Sequence, residues 1–257
     1  MADLNSSIHG MGIVWEALLR LVKLPGSNWE ALTRFFQQII NDPFYRKNVF
    51  AVLAGCPQMV TRKDWVEREG NVLTRLTELG IPVINPPYLE GQWQEGFTKH
   101  HRFLPDNLSR QQLLEACQKA GLQIYGNNPD LADAMKDELP TETGVLECDL
   151  GTIMVPTDAQ HRPFLLLLDE QIKWAKEQGG DGILSAEETL YLLLRAWVEL
   201  GKIPFMGGVI CCRNADSLGV SWRPGIGLRV GHCNERDTPN GRSNWLFGAV
   251  PRKFFGI

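Results

Sequence analysis

The chain has no long apolar run and no pattern of an export signal at its start. Its most apolar stretch, Phe164–Leu168, is far shorter than the roughly 20 residues that a membrane-spanning helix needs. The opening MADLNSSIHG does not place a basic stretch before an apolar one, as a secretory signal would. The sequence therefore predicts a soluble, cytoplasmic protein with no membrane partner.

Cysteine spacing of the kind that builds a disulfide framework is also missing. None of the six cysteines lies in a Cys-x-x-Cys motif, and Cys211 and Cys212 are adjacent, which is a poor geometry for pairing. We interpret the cysteines as reduced thiols in a reducing compartment, which agrees with a cytoplasmic location.

The motifs that mark common enzyme and cofactor sites do not occur. There is no Gly-x-x-x-x-Gly-Lys-Ser/Thr phosphate loop, no Gly-x-Ser-x-Gly elbow and no His-Glu-x-x-His zinc motif. The segment Gly225-Ile226-Gly227 lacks the third glycine and the following helix of a dinucleotide-binding loop, so we interpret it as a turn. The sequence predicts no cofactor.

One cluster resembles a metal or thiol site, namely Cys211-Cys212 with His232-Cys233. A structural zinc site needs four converging ligands, but neighbouring residues of a strand point to opposite faces. Each pair would then supply only one ligand, so no metal site is predicted. A catalytic Cys–His pair needs only two groups and stays open as an alternative to the favoured interpretation, buried thiols and a core histidine.

Three other polar pairs carry weaker signals. His100-His101 lies in a charged loop and is interpreted as solvated or structural. Glu147 with Asp149, and Asp169 with Glu170, are carboxylate pairs of a kind that could hold Mg²⁺ beside a phosphorylated substrate. Neither has a third convergent group, so a surface or helix-capping role is favoured.

Charge is distributed unevenly along the chain. The net charge is −4, but residues 125–201 carry 15 acidic and 5 basic side chains, and residues 202–257 carry 3 acidic and 8 basic. Either the basic end neutralises the acidic middle within one fold, or these regions meet charged partners. The eight tryptophans suit a core and an interface equally well.

Hydrophobic periodicity and turn residues predict an α+β fold. Capping signals at Thr61, Ser109 and Ser185 start helices in the first half and over 186–200. The glycine-rich segment 202–257 has short β-prone runs, which predict a mainly antiparallel β-meander packed on helix 186–200.

The domain prediction follows the same change in texture. Residues 1–140 form a mainly helical N-terminal region and residues 145–257 an α+β C-terminal domain, with Pro140–Gly144 as the boundary. A single domain is the alternative.

Strand alternation in the C-terminal half predicts an arginine face. Leu228, Val230 and His232 share one side of a strand, which places Arg229 on the other. The same argument puts Arg223 on an outer face. The candidate binding residues are three arginines with two neighbouring tryptophans: Arg213, Arg223, Arg229, Trp222 and Trp245. The alternative to a binding face is a solvated face with salt bridges to the acidic middle.

Residues of about 145–250 resemble a bacterial family known only as a domain of unknown function. The resemblance rests on an ordered series of short signals: Pro163–Leu166, Leu184–Glu188, Cys212-Arg213, Trp222, Gly227–Asn234 and Trp245-Leu246. It covers less than half of the chain, and the loop before Trp245 is longer and more polar here. The resemblance implies a shared α+β core and no particular activity.

The sequence favours a non-catalytic protein-interaction or structural component, with a protein partner or self-association. The missing catalytic motifs, the tryptophans and the charge asymmetry support this hypothesis. One alternative is an enzyme that acts on a phosphorylated or acidic substrate through the arginine face. Another is a nucleic-acid-binding protein that uses the basic C-terminal half, which the acidic middle disfavours.

Overall fold

The structure is a computed structural model, and it describes twelve stretches of the chain. They are residues 34, 37–53, 58–82, 89–125, 138–150, 168–203, 209–213, 218–223, 225, 227–232, 247–248 and 250–256. The chain divides into two compact units, Met1–Met59 and Val60–Ile257.

The first unit contains helix α1, Pro43–Leu53. Asp42 precedes it, and its Oδ1 accepts hydrogen bonds from the amides of Phe44 at 2.9 Å and Tyr45 at 3.0 Å. These bonds satisfy donors that a helix start leaves without partners. Within the same unit, the Met59 amide donates to Asn48 Oδ1.

Five helices of the second unit are described, and the residues predicted to cap three of them do so. The helices are α2 (Arg62–Glu78), α3 (Leu89–Gln92), α4 (Arg110–Lys119), α5 (Leu168–Glu177) and α6 (Ala186–Leu200). Thr61 caps α2, and Ser109 and Ser185 form capping boxes at α4 and α6. Gly201 ends α6 in the left-handed region at φ 67°, where glycine avoids the steric cost of a Cβ.

Nine strands of this unit are described, in three sheets. They are β1 (His101–Leu104), β2 (Gly144–Glu147), β3 (Gly182–Ile183), β4 (Val209–Cys211), β5 (Leu218–Arg223), β6 (Gly227–His232), β7 (Phe247–Gly248), β8 (Pro251–Arg252) and β9 (Phe254–Gly256). The sheet orders are β1-β2-β9, β3-β8 and β6-β5-β4-β7. The pairing is antiparallel except between β4 and β7. The predicted α+β class is therefore confirmed.

Helix α6 lies at the centre of the second unit. Its residues Leu190–Leu194 have no exposed side-chain surface, and they belong to the core that β5, β6, α2 and α4 share. The antiparallel strands β4, β5 and β6 follow one another as a meander, and β5 contacts α6. The predicted boundary at Pro140–Gly144 falls inside this unit, where β1 on one side of it pairs with β2 on the other.

Candidate functional site

Arg213, the first predicted binding residue, turns toward α6. Its Nη2 lies 3.3 Å from Glu188 Oε1, and its backbone amide donates to the carbonyl of Leu184. About a third of its side chain is exposed, at 32%. Arg213 is therefore held at the N-terminal end of α6, on the side of the meander that faces the core.

The other predicted arginines belong to the opposite face of the meander. The register pairs Ser221 with Arg229 and Arg223 with Gly227, so positions 221, 223, 227 and 229 share one face. Arg229 is half-buried. The structure thus brings positions 223 and 229 to the same face and takes the Arg213 guanidinium to α6 instead.

Of the two tryptophans predicted to take part in binding, the structure describes Trp222 and not Trp245. Trp222 is half-buried and packs against the hydrophobic core, opposite Leu228 of β6. Its main role is in packing. Trp245 lies outside the residues that the structure describes, as do Cys233 and the segment 163–167.

Basic residues from the C-terminal end pair with the acidic middle of the chain. Arg252, with only 5% of its side chain exposed, donates to Glu188 at 2.8 Å, and its guanidinium also pairs with Asp181 and Glu142. Lys253 pairs with Glu147 at 3.6 Å. Together with the Arg213–Glu188 pair, these contacts account for part of the charge asymmetry by neutralisation within one unit.

Glu69 and Arg195 form a fully buried ion pair between α2 and α6. Arg195 Nη1 lies 2.6 Å from Glu69 Oε2, and neither side chain has exposed surface. Burial lowers the pKa of Arg195, but the Glu69 carboxylate, with Tyr191 and Glu199, outweighs it and raises the pKa well above its ordinary value. Arg195 therefore stays charged inside the core.

This ion pair closes one edge of the β1-β2-β9 sheet. The Cys148 amide donates to the carbonyl of His100, so even-numbered residues of β1 bond to β2, and His101 and Phe103 present their amides and carbonyls outward. Glu69 Oε2 accepts the Phe103 amide hydrogen at 2.9 Å. Arg195 Nη1 donates to the Phe103 carbonyl at 3.2 Å.

Aromatic and arginine side chains complete the closure of this edge. Tyr191 donates its hydroxyl hydrogen to the Phe103 carbonyl at 2.7 Å. Trp65 Nε1 and Arg68 Nη2 both donate to the His101 carbonyl. Side chains of α2 and α6 thus take the place of a neighbouring strand, which protects an edge that would otherwise be open to other chains.

The same network continues toward the surface through Glu199. Arg195 Nε lies 2.8 Å and Arg102 Nε 3.2 Å from Glu199 Oε1. Burial raises the pKa of Glu199, but the two guanidinium groups outweigh it, and the pKa is lowered. Arg102 Nη1 also donates to the carbonyls of His100 and Cys148, so it clamps β1 to β2.

A second buried ion pair joins α4 to α6. Arg110 Nη2 lies 2.5 Å from Glu187 Oε1, and both side chains are fully buried. The amide of Leu139 also donates to Glu187 Oε1, and the amide of Arg110 donates to Glu138. The acidic residues at the start of α6 therefore organise the segments around it.

His101 has the structural role that was favoured for the histidine pair. Its ring stacks on Phe97 with centroids 4.5 Å apart, and its Nδ1 accepts the Thr98 amide hydrogen at 3.0 Å. Burial lowers its pKa to about 4. A histidine held neutral in this way supports packing and does not exchange protons near neutral pH.

The structure brings together a cysteine and a histidine that the sequence analysis did not pair. Cys148 lies directly across from His100, and His100 Nδ1 is 3.6 Å from Asp149 Oδ1. Burial raises the pKa of the Cys148 thiol to about 12, against the opposing effect of Arg102. The thiol is therefore neutral and a poor nucleophile.

The sequence cluster of cysteines and histidine is only partly described. Cys211 ends β4, His232 ends β6 and lies opposite Leu218, and the fully buried Cys212 lies 3.8 Å from the Thr189 hydroxyl. Within the described stretches, no group of three or more His, Cys, Asp or Glu side chains is arranged to hold a metal ion.

Comparisons with protein-family models, curated proteins and solved structures find no match to this chain. The resemblance to a family of unknown function therefore stays a prediction. Among the described helices, none is long and apolar enough to cross a membrane.

Proposed function

We propose that this chain is a non-catalytic protein-interaction or structural component of the cytoplasm. The observation that supports the proposal best is the use of the buried charges. Glu69, Glu187 and Glu188 are fully buried, and each accepts hydrogen bonds from an arginine of another element. These carboxylates and guanidinium groups position helices and a sheet edge, so they are not poised for substrate.

The thiols support the same proposal. Cys117 and Cys148 are free thiols, as in a reducing compartment. Burial raises the pKa of both Cys117 and Cys148 to about 12, so neither is an activated nucleophile. The proposed location in the cytoplasm is based on these unpaired thiols.

The experiment that tests the proposal is quantitative capture of a partner. The tagged full-length chain is cross-linked in the cells that make it, the captured protein is purified, and the affinity of the two purified chains is measured at 50 mM and 500 mM salt. We expect saturable binding to a defined protein. A chain that is monomeric and has no saturable protein partner contradicts the proposal.

Two further results would replace the proposal with another function. One is turnover of a phosphorylated or acidic compound that Arg213→Gln abolishes while Arg62→Gln, a surface control, leaves it unchanged. The other is nucleic-acid binding that weakens steeply with salt. The control suits this purpose because Arg62 pairs with Glu90 at the surface, where both side chains are more than half exposed.

A further inference from the structure

Residues 250–256, which we call the bridging segment, join two of the described sheets. In the first half of the segment, the Arg252 carbonyl accepts the Asp181 amide hydrogen at 2.8 Å, next to β3. In the second half, the Lys253 carbonyl accepts the Glu147 amide hydrogen at 2.9 Å, and β9 pairs with β2. The segment therefore changes its hydrogen-bonding partner between Arg252 and Lys253.

The two halves of the bridging segment are held by different kinds of contact. Arg252 is buried and fixes the first half, because its guanidinium pairs with three carboxylates, those of Glu188, Asp181 and Glu142. The second half lies nearer the surface, since Phe254 and Phe255 are half-buried and Gly256 is exposed. The Phe255 ring packs beside the His101 ring, with centroids 5.2 Å apart. A titratable ring therefore supports the more exposed half.

In this closed arrangement, the surroundings of His101 suit the neutral ring. Its Nδ1 accepts the Thr98 amide hydrogen at 3.0 Å, so a proton on Nδ1 would face a donor. The ring also contacts Phe97, with centroids 4.5 Å apart, and Phe255. Burial lowers the pKa of His101 to about 4. A proton therefore binds His101 far more tightly once the cover of Phe255 has moved away.

The charged groups around the His101 ring partly offset one another. Glu147 of β2 favours the protonated ring, whereas Arg68 of α2 and His100 of the same chain segment oppose it. Lys253 of the bridging segment pairs with Glu147 at 3.6 Å. Because burial has the largest effect on the ring, uncovering it matters more than any one of these charges.

We propose that mild acid releases β9 from β2 while Arg252 holds the first half of the bridging segment in place, so that His101 acts as a pH-sensitive latch. Histidine is the side chain that ordinarily changes its charge between pH 8 and pH 5, and Arg252 stays charged throughout this range. Release exposes His101, whose Nδ1 takes up a proton from solvent and gives up the Thr98 amide as a donor. This inference goes beyond the proposed interaction function and does not depend on it.

Proton linkage sets the direction and the size of the effect. The pKa of His101 is about 4 in the closed state, and in the released state we assign it the ordinary histidine value of 6.5. The released state binds the proton more tightly, so a lower pH favours release. The equilibrium constant for release should rise about tenfold between pH 7.5 and pH 5.5, and it should level off near pH 4.

Amide hydrogen exchange of the full-length chain at pH 7.5 and pH 5.5 tests the inference. Each rate is divided by the intrinsic rate at that pH to give a protection factor. The Glu147 amide reports release of the second half of the bridging segment, and the Asp181 amide reports the anchored half. We expect the Glu147 amide to be less protected than the Asp181 amide, to respond little to low urea, as local opening does, and to lose about tenfold in protection at pH 5.5.

Two results on the unmodified chain would overturn the inference. One is equal protection and equal urea dependence of the Glu147 and Asp181 amides, which would mean that the segment opens only when the whole unit unfolds. The other is a protection factor of the Glu147 amide that does not change between the two pH values.

Two histidine variants separate the latch from other effects of acid. His101→Asn removes the titrating ring, and the new side-chain oxygen can accept the Thr98 amide hydrogen in place of Nδ1. The tenfold change should then disappear. The matched control is His100→Asn, because neighbouring residues of a strand point to opposite faces of the sheet, and here the change should remain. A folded His101→Asn that keeps the tenfold change, or a His100→Asn that abolishes it, contradicts the assignment of the latch to His101.

Discussion

Removing either partner of the Glu69–Arg195 pair should greatly lower the free energy of unfolding of the second unit. Both side chains are fully buried, so a single substitution leaves a charge in the core with only its second partner, which is Arg68 for Glu69 and Glu199 for Arg195. Breaking a buried pair in this way typically costs about 3–5 kcal/mol. We therefore expect Glu69→Leu and Arg195→Leu each to lower the free energy of unfolding by about that amount.

The double variant Glu69→Leu with Arg195→Leu should cost much less than the sum of the two single variants. It leaves no fully buried charge unpaired, because Glu199 keeps Arg102, and the partly exposed Arg68 keeps its bonds to the Lys99 and His101 carbonyls. The Phe103 carbonyl keeps the Tyr191 hydroxyl as a donor. The remaining loss is the Phe103 amide, which Glu69 no longer accepts, at about 1–3 kcal/mol for a buried donor without a partner. The coupling between the two sites should therefore be several kcal/mol.

Urea unfolding of the parent, both single variants and the double variant measures this coupling, with stabilities obtained by linear extrapolation. Where a single variant is unfolded in buffer, recovery of a folded double variant gives the same result qualitatively. Single variants that lose less than about 1 kcal/mol, or a double variant whose loss equals the sum, would refute the role of this pair in the core.

Three further predictions follow from particular contacts. Burial lowers the pKa of His101 to about 4 in the folded protein, so the unfolded chain takes up the proton first as the pH falls. The free energy of unfolding should therefore drop by about 2–3 kcal/mol between pH 6.5 and pH 4. In urea unfolding at a series of pH values, His101→Asn should reduce this dependence of stability on pH. Arg252→Gln should lower the melting temperature far more than Arg213→Gln, because Arg252 is 5% exposed and Arg213 is 32% exposed; equal shifts would contradict this ranking. Gly227→Ala should destabilise the fold by more than about 2 kcal/mol in urea titrations, because the φ of Gly227 is +109° and a Cβ there would clash with the Gln123 carbonyl oxygen. The control Gly225→Ala should cost about half as much or less, because Gly225 has φ +78° but open space around a Cβ.

Local features of the fold could be predicted from the sequence because they depend on neighbouring residues. The capping boxes at Ser109 and Ser185 each use a side chain three positions away, and Gly201 ends α6 through its own backbone freedom. Such signals need no knowledge of the tertiary fold.

The candidate site was harder to predict because its contacts join distant parts of the chain. Glu69 and Arg195 are 126 positions apart, so no local pattern pairs them. A weaker signal was present: Glu69 lies on the same helical face as Trp65, Val72 and Leu73, which are buried. A charged residue on an apolar face indicates a buried partner, although it does not identify that partner.

The arginine face illustrates the same limit. Alternation correctly separated Arg229 from Leu228 and Val230, since that depends only on the pleat of one strand. Arg213 lies beyond the end of β4, in a bend where alternation does not apply, and its direction is set by Glu188 of α6. Its contact could not be derived without the packing of the helix on the meander.

The central claim is that buried side chains of α2 and α6 seal the β1 edge of the sheet, and native-state amide exchange at Phe103 tests it most directly. In dilute solution, the Phe103 amide, which donates to buried Glu69, should exchange only through global unfolding. Exchange of the Phe103 amide that is much faster than global unfolding would contradict the account.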